Sequence, residues 1–173
     1  MKNLKHFSFL FVLFIIGCED SNDINNDITS NITEIVTSNV MVSNFYYNLV
    51  TKSEVQSDEI WHISAQLKQV DFGGQSYGMP CIVLGNVYAQ LSDSSFSEII
   101  VPPAQNSSWF QDNTTIEYGG ENEIINYNMT THIASIYAAE RTFIVYEYIG
   151  HSSYKVQFLD YTSGIVSFQF SPL

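Results

Sequence analysis

The chain has 173 residues and a formal charge of −12, with 6 basic against 18 acidic side chains. So few basic residues cannot assemble the patch that binds nucleic acid or an anionic lipid surface, and we expect neither partner. The length allows one domain, and 11 Tyr and 12 Phe with only 14% charged residues favour β-strands.

The start of the chain has the pattern of an export signal. Two lysines precede a largely apolar run that ends at Gly17 and Cys18. The run is shorter than the roughly 20 apolar residues of a membrane span, and no A-x-A-like cleavage site precedes Cys18. Cys18 directly after Gly17 resembles the lipobox of bacterial lipoproteins, which implies that residues 1–17 are a signal peptide and that Cys18 is lipidated. The mature chain would carry a formal charge of −14 and an acyl anchor in the membrane.

Two regions are expected after the signal peptide. Residues 18–38 are rich in Asn, Asp, Ser and Thr, a composition that buries little apolar surface and predicts a flexible tether. The acidic pair Glu19-Asp20 resembles the export signal of surface lipoproteins, which implies the outer membrane and its exterior face. Residues 39–173 form the predicted β domain.

Period-two patterns predict the first strands of this domain. A first strand is expected over residues 40–50. In the next one, apolar Trp61, Ile63, Ala65 and Leu67 alternate with His62, Ser64, Gln66 and Lys68. This alternation predicts a half-buried strand with His62 on its solvated face. Glycines at positions 73, 74 and 78 predict an irregular loop. Cys81, beside an apolar run, is expected to be a small buried side chain.

The end of the chain predicts two successive hairpins. Strand patterns over residues 142–149, 154–161 and 165–170 are separated by turns at Gly150-His151 and Ser163-Gly164. This arrangement is a C-terminal antiparallel meander, with His151 exposed at a hairpin tip. The only plausible helical turn is residues 133–140, so the predicted fold class is all-β with antiparallel sheets.

An ordered set of motifs between residues 40 and 171 is similar to one known family. The set is Tyr46-x-x-Leu49-x-Thr51, Trp61-x-Ile63, Gly73-Gly74-x-Ser76, Phe96-Ser97-Glu98-Ile99, Phe110-Gln111-Asp112, Tyr127-Asn128-x-x-Thr131-His132, residues 142–145 and residues 154–168. It resembles the HmuY-like haem-binding lipoproteins. The resemblance implies an all-β fold, a haem gripped by two axial His or Met side chains, and transfer of that haem to a TonB-dependent outer-membrane receptor. Three departures, at His62, Ser64-Ala65 and Phe72, indicate a diverged member.

Three side chains are candidate ligands of the haem iron, which accepts imidazole nitrogen or thioether sulfur. The resemblance implies a ligand from the polar connection after Tyr127, so His132 or Met129 is the first choice. Met79 is expected on a Gly-rich loop that is mobile enough to approach the iron from the opposite side. The structural alternatives are that His132 fixes its loop by a hydrogen bond through Thr131 or a neighbouring carbonyl, and that Met79 fills a core gap. The basic residues available to haem propionates are Lys52, Lys68, Arg141 and Lys155.

Two function classes therefore stay open. The first is a lipid-anchored outer-membrane protein that takes haem, free or from haem-carrying host proteins, for iron acquisition. The alternative is a haem-free interaction or glycan-binding β module on the same scaffold. An enzyme is not expected, because the chain has no G-x-S-x-G, H-E-x-x-H or C-x-x-C motif.

Overall fold

The computed structural model describes residues 31–104 and 124–173, and these ranges form an all-β fold of antiparallel strands. The predicted fold class is confirmed at this level. The signal peptide, Cys18 and the motif at residues 110–112 lie outside the described residues. The strands are β1 (Thr33–Val36), β2 (Phe45–Asn48), β3 (Ser53–Glu54), β4 (Ile63–Phe72), β5 (Gln75–Leu84), β6 (Val87–Ser92), β7 (Ile125–Asn128), β8 (Ile133–Ile136), β9 (Thr142–Glu147), β10 (Ser152–Thr162) and β11 (Ile165–Pro172).

The strands form two larger sheets and a separate hairpin. One sheet has the order β1-β11-β10-β9-β6, the other has the order β3-β2-β4-β5, and β7 pairs with β8. The predicted C-terminal meander is confirmed, since β9, β10 and β11 are consecutive neighbours. The β7–β8 hairpin lies against β10 on one side and β5 on the other.

The core lies between the two larger sheets. Tyr47 of β2 meets the rings of Phe168 and Phe170 of β11 edge to face, each with 5.8 Å between ring centroids. Alternate residues of β10 and β11 point into this core, including Val156, Phe158, Phe168 and Phe170. Such aromatic contacts between facing sheets are worth about 0.5–1.5 kcal/mol each beyond area burial.

The first strand lies within the segment predicted as a tether. Residues 33–36 pair with residues 167–170 of β11, so order begins earlier than composition indicated. Ile35 packs against the core, whereas Val36 is exposed. An edge strand needs only one apolar side chain and the hydrogen bonds of its neighbour, which a composition average over a polar segment does not reveal.

Two other local predictions were wrong. The expected helical turn at residues 133–140 contains strand β8, because Ile136 lies opposite Ile125 and packs against the core. The expected irregular loop at Gly73-Gly74 is a tight turn between β4 and β5. Its two glycines have φ of +59° and +84°, the left-handed conformation that a two-residue hairpin turn requires.

Candidate functional site

The turn between β7 and β8 presents two of the predicted ligands, His132 and Met129. The side-chain oxygen of Asn128 accepts hydrogen bonds from the amides of Thr130 and Thr131, at 2.9 and 3.0 Å. The amide of His132 donates to the carbonyl of Asn128 at 2.8 Å. His132 closes the turn with φ of +56°. The turn therefore holds the backbone of His132 by hydrogen bonds within the hairpin.

The His132 ring is oriented by a tyrosine from the preceding strand. The hydroxyl of Tyr127 lies 2.8 Å from Nδ1 of His132, and the ring centroids are 6.0 Å apart. The residue is exposed, and within the described residues no hydrogen bond engages its second nitrogen, Nε2. One ring nitrogen engaged by a protein group and the other open is the arrangement of metal-bound histidines. The bond that fixes the ring comes from Tyr127 rather than from Thr131 or a neighbouring carbonyl, and it leaves Nε2 available for ligation.

The two methionine candidates differ in accessibility. Met129, in the same turn as His132, is 60% exposed. Met79 is only 7% exposed and lies within β5, opposite Lys68 of β4. The expectation that Met79 occupies a mobile loop was wrong, because the β4–β5 hairpin extends through it. Its surroundings match the alternative role of a core-filling side chain.

Within the described ranges, no hydrogen bond or ring contact joins any two of His132, Met129 and Met79, and no group of three or more His, Cys, Asp or Glu could hold a metal ion. A core cavity of about 10 Å³ lies between the sheets, room for about one water molecule. It is lined by Ile63, Leu84, Ala89, Ile124, Phe143, Val145, Val156 and Phe158. This cavity is too small to hold a porphyrin.

Lys155 is not available to an anionic ligand. Its Nζ donates to the carbonyl oxygens of Phe96 and Ile99, at 2.8 and 2.9 Å, and lies 4.6 Å from the centroid of the Phe96 ring. The side chain is 3% exposed, and this burial lowers the pKa of the Lys155 ammonium. The expectation that it meets a propionate was wrong, because Phe96 and Ile99 cover this face of the sheet. Lys52 is exposed, and Arg141 lies over the ring of Tyr137.

His62 is a buried structural residue, contrary to the predicted solvated position. It is 1% exposed, and its Nδ1 accepts a hydrogen bond from the amide of Leu49 at 2.9 Å. Burial lowers the pKa of His62, although the nearby Glu147 carboxylate acts in the opposite direction. The turn after β2 covers this face, so β4 is buried on both sides at its start. Alternation in β4 alone could not show this cover.

The turn that carries His132 occurs three times within residues 31–104 and 124–173. Each copy begins with a Tyr followed by Asn or Glu, and the Asn or Glu side chain accepts hydrogen bonds from two backbone amides of the turn. The copies are residues 47–52, 127–132 and 146–151. The last residue of each has positive φ, at Lys52, His132 and His151. The first two segments share the letters Y-N-x-x-T-[K/H], and this repeat is the sequence signal of the common turn.

The third copy of the turn contains a second Tyr–His pair. Nδ1 of His151 lies 2.6 Å from the hydroxyl of Tyr146, and His151 is exposed at the hairpin tip as predicted. The two Tyr–His pairs are therefore close structural equivalents on different hairpins.

The predicted burial of Cys81 is also confirmed, and burial raises the pKa of its thiol.

No protein-family model matches this chain, and no significant match was found among curated proteins or solved structures. The part of the chain that the structure describes contains no helix long and apolar enough to cross a membrane. The resemblance to HmuY-like proteins therefore stays a prediction.

Proposed function

We propose that this protein is an HmuY-like bacterial surface lipoprotein that captures haem through His132. The observation that carries the proposal is the exposed imidazole whose Nδ1 is engaged by Tyr127 at 2.8 Å. This bond fixes the ring through Nδ1, and Nε2 is then the nitrogen that would ligate iron. Met129 is the favoured partner ligand because its thioether is exposed, whereas Met79 is buried.

The proposed context is the outer membrane. Lipidation of Cys18 would anchor the mature chain, and residues 19–32 would link the anchor to β1. Haem would come free or from haem-carrying host proteins and pass to a TonB-dependent receptor. In the acidic chain, binding would depend on the axial bonds and apolar contact more than on attraction of the propionates.

A haemin titration tests the proposal directly. The purified protein in detergent is titrated with haemin, and absorbance is recorded in the oxidised and reduced states. We expect saturable one-to-one binding with a red-shifted Soret band. His132→Ala should abolish this spectrum, whereas His151→Ala, which removes the equivalent imidazole on another hairpin, should leave it unchanged. Equal spectra for both variants would exclude His132 as the ligand.

Variants of the methionines test the second ligand. Met129→Ala should change the redox-dependent spectrum more than Met79→Ala, because Met79 is buried in β5. Thermal unfolding of each variant is the matched control, since loss of the buried Met79 costs packing. A spectrum that depends only on Met79 would assign the second bond to it.

The anchor is tested separately from haem binding. Cys18→Ala should release the protein from the membrane fraction and abolish incorporation of labelled fatty acid. A Cys81→Ala variant is the control, because the buried thiol of Cys81 is not expected to carry lipid. Retention of the label in the Cys18 variant would exclude the lipoprotein assignment.

A second candidate function is a haem-free interaction or glycan-binding module on this scaffold. The observation in its favour is the filled core, whose cavity of about 10 Å³ cannot admit a porphyrin. A flat, non-saturating haemin titration would favour this candidate over haem capture.

A further inference from the structure

Aromatic side chains gather on the outer face of the five-stranded sheet, at the edge formed by β6. Val87 and Ala89 of β6 point into the core, so Tyr88 between them lies on the opposite face. Tyr88 is directly opposite Tyr146 of β9. The ring of Tyr148, just after β9, lies 5.3 Å from that of Tyr88 and is tilted by 41°. Three partly exposed tyrosines are thus grouped at one edge.

Hydrogen bonds hold two of these rings, those of Tyr146 and Tyr148. The hydroxyl of Tyr148 donates to Oδ1 of Asn86 at 3.3 Å, and Nδ2 of Asn86 donates to the carbonyl of Trp61 at 3.4 Å. The Trp61 ring packs on the chain at Gly85, where an added Cβ would lie 2.6 Å from its Cε3. The Trp61 ring itself contacts Tyr46 of β2. We call Asn86, Tyr88, Tyr146, Tyr148 and His151 the aromatic belt.

The belt is uncharged in an acidic protein. None of its five residues is Lys, Arg, Asp or Glu, although the chain has a formal charge of −12. The carboxylate of Glu147, between Tyr146 and Tyr148, is 2% exposed and accepts the amides of Ile149 and Gly150. The Glu147 carboxylate is therefore buried in the fold. The polar groups of the belt are hydroxyl, amide and imidazole groups.

From this combination we propose that the aromatic belt binds a neutral polysaccharide. Sugar rings offer C–H faces that stack on aromatic rings and hydroxyls that bond to amide, imidazole and phenol groups. Rings already held by hydrogen bonds lose little conformational freedom on binding. An anionic polymer is disfavoured because the belt offers it no cation and the chain repels it. This site does not depend on haem binding.

Affinity electrophoresis tests the proposal. The full-length protein, in a detergent without a sugar headgroup, is run in native gels that contain a β-glucan, a starch, a mannan or a xylan. We expect retardation by at least one of these neutral polymers and none by polygalacturonate. Retardation by no neutral polymer, or equal retardation by the anionic one, would overturn the proposal.

Substitutions then locate the binding site. Tyr88→Ala and Tyr148→Ala should each weaken binding about tenfold, since aromatic anchors dominate contact energies. Tyr148→Phe keeps the ring and loses only the bond to Asn86, so it should retain most of the affinity. Tyr77→Ala, an exposed tyrosine of the β4–β5 hairpin outside the belt, is the matched control. Unchanged binding in both belt Ala variants, or equal loss in the Tyr77 variant, would reject the site. Thermal unfolding checks that each variant is folded. If one of the two belt Ala variants does not fold, the other one tests the site.

Discussion

The backbone amide of Leu49 donates a hydrogen bond to Nδ1 of His62 across 2.9 Å, and both residues are buried. Because Nδ1 accepts this bond, it carries no proton, and the neutral ring keeps its proton on Nε2. A second proton on His62 would occupy the position toward which the Leu49 amide points. The turn after β2 is therefore attached to β4 through an imidazole that must stay neutral.

We expect the stability of the protein to fall as the pH decreases below about 6.5. Burial lowers the pKa of His62 in the native state, whereas the unfolded histidine titrates near 6.5. Between these two pKa values the unfolded chain binds a proton that the native state does not, so the free energy of unfolding decreases as pH falls. The slope from His62 should approach about 1.4 kcal/mol per pH unit. Urea unfolding between about pH 7 and about pH 5 measures it.

The control for this pH dependence is His62→Asn. The Asn side chain can accept the Leu49 amide but does not titrate. We expect the variant to be less stable near neutral pH because of lost packing, with a flatter stability profile over the same interval. A profile as steep as that of the wild type would assign the titration to other groups.

Two glycines with positive φ should respond differently to alanine. At Gly164 an added Cβ would overlap Oδ1 of Asn39 and lie 2.7 Å from Cγ of Met41, whereas at Gly74 nothing lies within 4 Å. Gly74→Ala should cost only the left-handed backbone strain, about 1–2 kcal/mol. Gly164→Ala should cost clearly more, because strain and overlap add. Denaturant unfolding of both variants decides this, and equal losses would contradict the proposed contact with Asn39.

Lys155 should hold the segment around Phe96 and Ile99 onto the sheet. Lys155→Met keeps the apolar stem but removes both donated hydrogen bonds, and we expect a loss of about 2–3 kcal/mol. Limited proteolysis should also cut near these residues faster. Lys52→Asn is the control, because Lys52 is exposed and Asn tolerates its left-handed conformation. Unchanged proteolysis of the Lys155 variant would contradict this role.

If His132 ligates haem, its tyrosine partner should affect affinity. Tyr127→Phe removes the group that engages Nδ1 of His132, and loss of such an orienting partner typically weakens metal binding 10–100-fold. Haemin titration measures the change. Tyr146→Phe, which alters the equivalent pair with His151, should have no effect, and a similar loss in both variants would argue against specific orientation of His132.

The sequence predicts the strands better than it predicts which distant segments bury their outer faces. The alternation around Ile63 and Ala65 correctly indicated a strand with these residues in the core. It placed His62 in solvent because period two describes one strand, whereas burial of the second face depends on the turn at Leu49. Lys155 was misjudged for the same reason, since its cover comes from residues far away in the chain.

For the candidate site, too, the sequence predicted the element but not the contacts around it. The polar run after Tyr127 indicated a connection that presents His132, and the structure has an exposed turn there. The hydrogen bond of His132 to Tyr127 and the repeat of this turn at His151 depend on backbone geometry. The shared letters of segments 47–52 and 127–132 could have indicated a common turn, but neither the Tyr127–His132 bond nor the copy at His151.

The pairing of β1 with β11 joins residues that are far apart in the chain, such as Thr33 and Phe170. Closing such a long loop carries an entropic cost before any contact forms, which favours slow folding. A chain interrupted before residue 165 would leave the backbone edges of both β1 and β10 open, and such edges recruit other chains. Strand β1 can therefore pair only after β11 has been synthesised. Chains that end before residue 165 should aggregate rather than fold.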